Sequence, residues 1–278
     1  MLGAIMGDMI GSQYEFQKHG SKHFKIFNIY NKMTDDSVLT LAVAKVLMNN
    51  YPIDYSEQGL EKIKKELVNE FVATCYEHPN AGYGGMFYDW LRSPKHKPYN
   101  SYGNGSAMRI SPVGWIANSE EEIKKLSKAV SEITHNHPKG IKGAEAIAMC
   151  IFLARNGVSK TDIKKRMVKE YYPEITKLNY QDLLENYDFD ETCPGSVPQA
   201  IFLFLISKDL EDTYRTCVAV GGDTDTIACM AGSIAEAYYQ KDTLSPLEDK
   251  FIYMFFDRKT ENFIKSFYQM IGNPKFNK

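Results

Sequence analysis

The sequence predicts an all-α fold, and three observations predict it. Apolar residues recur at intervals of three and four through eight windows: 36 to 49, 57 to 76, 119 to 133, 140 to 155, 159 to 171, 197 to 220, 226 to 240 and 246 to 270. Convincing alternation of period two is hard to find anywhere. Proline, glycine and asparagine collect in short connectors such as "EHPNAGYGG", "RSPKHKPYNSYGNGS", "THNHPKG" and "ETCPGSVP". No long or low-complexity linker separates halves, so residues 1–278 are expected to form a single compact domain of orthogonally packed helices. A chain of this length buries roughly 75% of its unfolded surface, enough for a substantial core without staples.

Taken in order, the segments also narrow the class of function. The first, "MLGAIMGDMIGSQYEF", is apolar, but it lacks a basic lead and a long apolar core, and Asp8 interrupts it. It is neither a signal peptide nor a membrane span, and no other window reaches spanning length without charge. Lys62, Lys64 and Lys65 alternate with apolar residues and mark a solvated helix face. Over the whole chain 33 basic residues nearly cancel 35 acidic ones, so no global field points to nucleic acid or membrane. Five cysteines, with no CxxC pair, are expected to be reduced core residues of a cytoplasmic protein.

The polar clusters fall at joints between helices. "MTDDSVLTLAVAKVL" sets Thr34, Asp35 and Asp36 ahead of a helix that is apolar nearly all round, and "GGDTDTIACMAGSIAEA" repeats the layout with Asp223, Thr224, Asp225 and Thr226. Either cluster alone reads as a helix N-cap. Together they suggest two buried helices whose N-terminal ends meet. Two carboxylates about 4 Å apart repel by roughly 4 kcal/mol at an effective dielectric of 20, and at least four would gather here. Helix dipoles, typically ~0.3–1 kcal/mol each, are too weak to offset that. Carboxylate and hydroxyl oxygens select a hard cation, Mg²⁺ first and then Mn²⁺ or Ca²⁺. Four aspartates with two threonines exceed what one Mg²⁺ usually takes, so the sharper expectation is a cleft for two metal ions.

The series "GAIMGDMIGSQYE", "TDDS", "YGNGSAMR", "THNHPKGIKGAEA" and "GGDTDTIA", in this order over about 230 residues, resembles the ADP-ribosylglycohydrolases, relatives of the dinitrogenase reductase-activating glycohydrolase. The resemblance implies an all-α fold with a binuclear Mg²⁺ (or Mn²⁺) centre that hydrolyses the bond between ADP-ribose and a modified group. By motif position the metal ligands are Thr34, Asp35, Asp36, Asp223, Asp225 and Thr226, with Thr224 a turn residue. Glu15 matches the family's glutamate and is expected to transfer a proton or position the attacking water; Asp35 and Asp36 complete the catalytic carboxylates. Where the family pattern has Gly and Pro before that glutamate, this chain has Gln13 and Tyr14, which alters the local backbone.

The same resemblance puts the loop of Ser101, Tyr102, Gly103, Asn104 and Gly105 at the diphosphate and its ribose, and His135 at the substrate ribose; by its own chemistry Tyr102 is expected to stack on substrate, and His137 reads as structural, through a helix-start hydrogen bond. Glycines there allow close backbone approach. Arg109 reads either as a phosphate ligand or as the buried partner of an acid such as Asp8. Residues 81 to 93 read equally as a wall or flap over the cleft and as a short helix whose aromatics serve the core. The expected substrate is an ADP-ribosylated protein or a small ADP-ribose derivative. A non-catalytic ADP-ribose-binding or protein-interaction module and a Mg²⁺-dependent pyrophosphohydrolase are the alternatives.

Overall fold

A computed structural model describes residues 1–276. Among the described residues there are fifteen α-helices and no strand; the only ladder-like contact is an isolated antiparallel bridge between Gly103 and Thr192. In chain order the helices are α1 (Leu2–Gly11), α2 (Asp35–Asn49), α3 (Glu57–Glu77), α4 (Gly85–Arg92), α5 (Gly105–Met108), α6 (Ser111–Ile116), α7 (Glu120–Glu132) and α8 (Pro138–Arg155). They continue with α9 (Lys160–Glu170), α10 (Tyr180–Asn186), α11 (Cys193–Ile206), α12 (Leu210–Val220), α13 (Thr224–Tyr239), α14 (Pro246–Phe255) and α15 (Arg258–Met270).

The eight periodic windows are helical, but two of them are each two helices. The 197 to 220 window breaks where Asp209 accepts the amide of Asp212 at 2.7 Å and starts α12. The carbonyls left open at the end of α11 are taken by Lys160 Nζ, 2.7 Å from Phe204 O and 2.6 Å from Ser207 O. The 246 to 270 window breaks at Asp257, which caps α15 by accepting the amide of Thr260. Short polar caps interrupt an apolar period without erasing it, so periodicity alone runs through them. Residues 85 to 92 are helical, with Phe87 and Trp90 buried and Met86 and Tyr88 outside.

Helix α1 had no periodic signal because it has no polar face: all ten of its residues are buried. It runs antiparallel to α13, itself buried almost throughout, and the contact is built on Gly3, Gly7 and Gly11. A Cβ on Gly7 would stand 2.0 Å from Ala228 O, one on Gly3 2.4 Å from Gly232 O, and one on Gly11 2.5 Å from Asp225 Cα. Glycine every fourth residue thus lets the two backbones touch. This pairing brings the last turn of α1, carrying Asp8, against the first turn of α13, carrying Asp225 and Thr226.

Candidate metal centre and substrate cleft

Asp8, inside α1, is completely buried and organises the start of α2. Its Oδ2 accepts the amides of Thr34 and Ser37, both at 3.0 Å, and its Oδ1 accepts the Thr34 hydroxyl at 2.6 Å. It therefore does the capping that Thr34, whose side chain makes no cap bond of its own, leaves undone. With α2 held this way, Asp36 turns toward α13, where Thr226 Oγ1 donates to Asp36 Oδ2 at 3.3 Å.

Two triplets of carboxylates result. Asp8, Asp36 and Asp225 bring one oxygen each to within 4.8 Å of one another, and so do Glu15, Asp223 and Asp225. Asp225 belongs to both. Asp35 lies outside the triplets, beside the turn at Gly82, and its amide donates to Ala81 O at 2.8 Å. Burial pushes Asp35, Asp36 and Asp225 well above the usual carboxylate range, and the neighbouring aspartates push them further. Asp8 and Asp223 are also raised by burial, less so because hydrogen bonds from Ser37 and Thr34, and from Asn104, favour their charged forms. Glu15 is pushed up to about 7 by burial and by Asp223, with Lys32 opposing.

None of these six acids has a lysine or arginine nitrogen within 4.0 Å among the described residues. Asp36 Oδ1 is buried with no hydrogen-bond partner in the protein. Burying carboxylates without a counter-charge is costly, and the donor set is oxygen only, so the residues present fit one or more hard divalent cations.

Glu15 reaches this cluster from the irregular segment that follows α1. Thr224, buried one residue into α13's motif, donates its hydroxyl toward Tyr14 O at 3.0 Å. The Tyr14 ring packs on His19 and Phe24. The departure at Gln13 and Tyr14 therefore comes with its own tether, and Glu15 still meets Asp223 and Asp225. Sequence reasoning treated Thr224 as a turn residue and left Asp8 out of the site. The signal for Asp8 was available: a lone carboxylate inside a wholly apolar segment.

The turn at 101–105 lies against the start of α8 and the segment before α11. Ser101 Oγ accepts the amide of Gly103 at 3.1 Å, Glu191 O accepts that of Asn104 at 2.8 Å, and Tyr102 O accepts that of Cys193 at 2.9 Å. Asn104 sends its side chain into the acid cluster, donating to Asp223 Oδ2 at 2.6 Å and to Ser196 Oγ at 3.2 Å. Tyr102 is 44% exposed, its ring 5.1 Å from that of His137.

His135 is buried with Nε2 toward the turn, where a Cβ on Gly105 would stand 3.1 Å from it. Its Nδ1 is 2.7 Å from Thr134 Oγ1, which also accepts Arg109 Nη2 at 2.7 Å. Burial, and secondly the Arg109 charge, hold the imidazole well below its ordinary pKa and hence neutral. Arg109 partners no acid: it donates to Thr134 and to Val130 O and lies 4.9 Å over the Phe71 ring. It is neither Asp8's partner nor exposed to a phosphate. His137 accepts the amide of Lys139 at 3.1 Å and caps α8, the structural role expected of it.

Fold and site together define an all-α protein with a buried oxygen-donor pocket beside a glycine-rich turn. A sequence model of the ADP-ribosylglycohydrolase family matches residues 1–253, and the chain belongs to that family. It is 25% identical to the mouse (Mus musculus) ADP-ribosylhydrolase ARH3 over 86% of this chain and 82% of that one. It is 22% identical to the ADP-ribosylarginine hydrolase Tri1 of Pseudomonas putida, over 88% of this chain and 71% of the relative. A solved structure described as an ADP-ribosylglycohydrolase-related protein complex shares the fold at a TM-score of 0.70, with 19% identity over 97% of both chains.

Proposed function

We propose that this protein is a Mg²⁺-dependent hydrolase, with Mn²⁺ as a substitute. It would free ADP-ribose by cleaving the glycosidic bond between the distal ribose and a protein side chain or small molecule. The observation that carries this is the set of five carboxyl groups in two triplets sharing Asp225, without an internal counter-cation, beside a glycine-rich turn and a neutral buried histidine. Kinship with an ADP-ribosylhydrolase and an ADP-ribosylarginine hydrolase supports the substrate class.

Thr34, Asp35, Asp36, Asp223, Asp225 and Thr226 would hold two cations, with Asp8 orienting Thr34 and the start of α2. Bound there, the cations supply Lewis acidity: they lower the pKa of water and orient the ribose diol. The remaining chemistry falls to the chain. Glu15, half-buried and beside Asp223 and Asp225, takes a proton from the attacking water and returns it to the departing group as the ribose carbon gains oxocarbenium character. Gly103 and Gly105 leave room for the diphosphate to approach the backbone, and His135, held neutral, offers Nε2 to a ribose hydroxyl. The five cysteines are buried thiols, which suits a reducing compartment such as the cytoplasm.

The test is free ADP-ribose released from an ADP-ribosyl-serine and an ADP-ribosyl-arginine peptide, with Mg²⁺ and with EDTA. EDTA-sensitive release from at least one is expected. Asp225→Asn should lower it by at least about 100-fold, the upper range for residues that merely support a metal ligand. Full turnover by Glu15→Gln would remove Glu15 from the proton-transfer role. AMP among the products would assign cleavage to the pyrophosphate instead. Intact substrates with tight ADP-ribose binding would mark a binding module.

A further inference from the structure

The Asn104 side chain ends on the acid cluster, although the turn that carries it belongs to the substrate side of the cleft. An ionised carboxylate accepts hydrogen bonds and donates none, so the atom facing Asp223 Oδ2 at 2.6 Å is the amide nitrogen. The second amide hydrogen goes to Ser196 Oγ at 3.2 Å, whose own hydrogen is spent on Thr192 O at 2.8 Å. The backbone N–H of Asn104 is spent on Glu191 O. Every donor Asn104 owns is therefore engaged inside the protein, leaving only an acceptor oxygen, which has no attraction for a diphosphate. Its burial, with 6% exposed, agrees.

We propose that Asn104 is a positioning residue. It aims Asp223 at the cation and so couples the 101–105 turn to the metal centre, making cation binding and ADP-ribose binding strengthen one another. The proposal rests on the cation reading above. The physical path is short. Ser101, Gly103 and Asn104 share one turn, clamped through Glu191, Thr192 and Cys193 to the segment that opens α11. A ligand seated on this turn bears on the amide, and the amide holds Asp223 Oδ2 at 2.6 Å. By linkage, the factor by which ADP-ribose tightens the cation equals the factor by which the cation tightens ADP-ribose.

The experiment is a binding titration of Mn²⁺, followed by electron paramagnetic resonance, on the whole protein with and without saturating ADP-ribose; no turnover is required. For the wild type, ADP-ribose should tighten Mn²⁺ by at least about fivefold, the lower end of ordinary allosteric coupling. In Asn104→Ala, Mn²⁺ affinity without ADP-ribose should fall about tenfold, the effect of losing ~1.4 kcal/mol, and the tightening by ADP-ribose should shrink to what the direct contact between the cations and the ribose diol supplies. An Asn104→Ala protein that binds Mn²⁺ like the wild type but binds ADP-ribose poorly would overturn the proposal, because that is the signature of a direct diphosphate contact. Absence of Mn²⁺ binding by the wild type would overturn the cation reading itself, a separate failure. Should Asn104→Ala fail to fold, Ser196→Ala removes one support of the same amide. A reduced coupling factor is expected there, and an unchanged one would overturn the proposal.

Discussion

The two ends of the α1–α13 pair bury carboxylates in opposite ways. At the far end Glu236 is completely buried, yet basic groups stand beside it: Lys275 Nζ at 3.1 Å, held charged against burial by Glu236 and Glu248, and the Met1 amino group at 2.7 Å, which burial lowers to about 6. Lys275 also pairs with buried Glu248 at 2.7 Å, and Tyr268 and the amide of Gly3 donate to Glu236. Burial alone would raise Glu236, but Lys275 and the amino group bring it down to about 2. At the near end five acids cluster in two triplets with Asp35 beside them, none has such a partner among the described residues, and burial raises all six. The first end is a closed structural network. The second has no counter-charge among the described residues, which is the contrast that the proposed cation site rests on.

The largest expected effect breaks the closed end. Lys275→Met leaves Glu236 and Glu248 buried with one cation fewer, a loss worth about 3–5 kcal/mol when a buried pair is broken. Urea denaturation should show it, with Mn²⁺ affinity of the folded protein unchanged; a stable Lys275→Met protein would mean that the far end is not an electrostatic latch.

The open end should answer to pH with the opposite sign. Glu15 is about 7 in the fold against 4.5 as its ordinary value, so the folded state holds more protons between those limits. Its contribution to stability is therefore largest below about 4.5 and turns unfavourable as the pH rises through 7. In EDTA, Glu15→Gln should raise Tm at pH 7.5 by about 2–4 °C, the equivalent of ~1 kcal/mol in a chain of this size after discounting its solvent exposure. Near pH 4.5, where Glu15 is already protonated, the difference should disappear. An equal gain at both pH values would show that neither burial of the Glu15 charge nor its repulsion from Asp223 is the source. Glu236 behaves conversely: its contribution is present above about 4.5 and is lost as the pH falls toward 2.

The smallest effect sharpens the contrast within the site. Thr224→Val removes the hydroxyl that holds Tyr14 O and should cost about 1 kcal/mol, while Thr224→Ser should not. If the tether also places Glu15, hydrogen exchange at residues 13 to 17 will rise in the valine variant alone. Unchanged exchange would leave Glu15 held by Gln13, Asn28 and the Gly11–Tyr14 turn instead.

The sequence by itself determined the helices that have two faces, because a helix between core and solvent carries a period of three and four. It also pointed to both acidic helix starts, since aspartates before an apolar run cannot all be solvated. The polar and glycine-rich connectors were legible for the same reason. Helix α1 was not, having no polar face to set a period, and neither were the breaks at Asp209 and Asp257, where a cap outranks periodicity.

Only the tertiary structure decided how the acids combine. Asp8 joins them because glycines at 3, 7 and 11 let α1 touch the backbone of α13, a contact between segments more than 200 residues apart. Asn104 turns inward, and Arg109 serves Thr134 rather than an acid, because hydrogen-bond donors in a buried space go to whichever acceptors the packing brings near. A linear pattern specifies which groups must find partners, and three-dimensional packing chooses the partners.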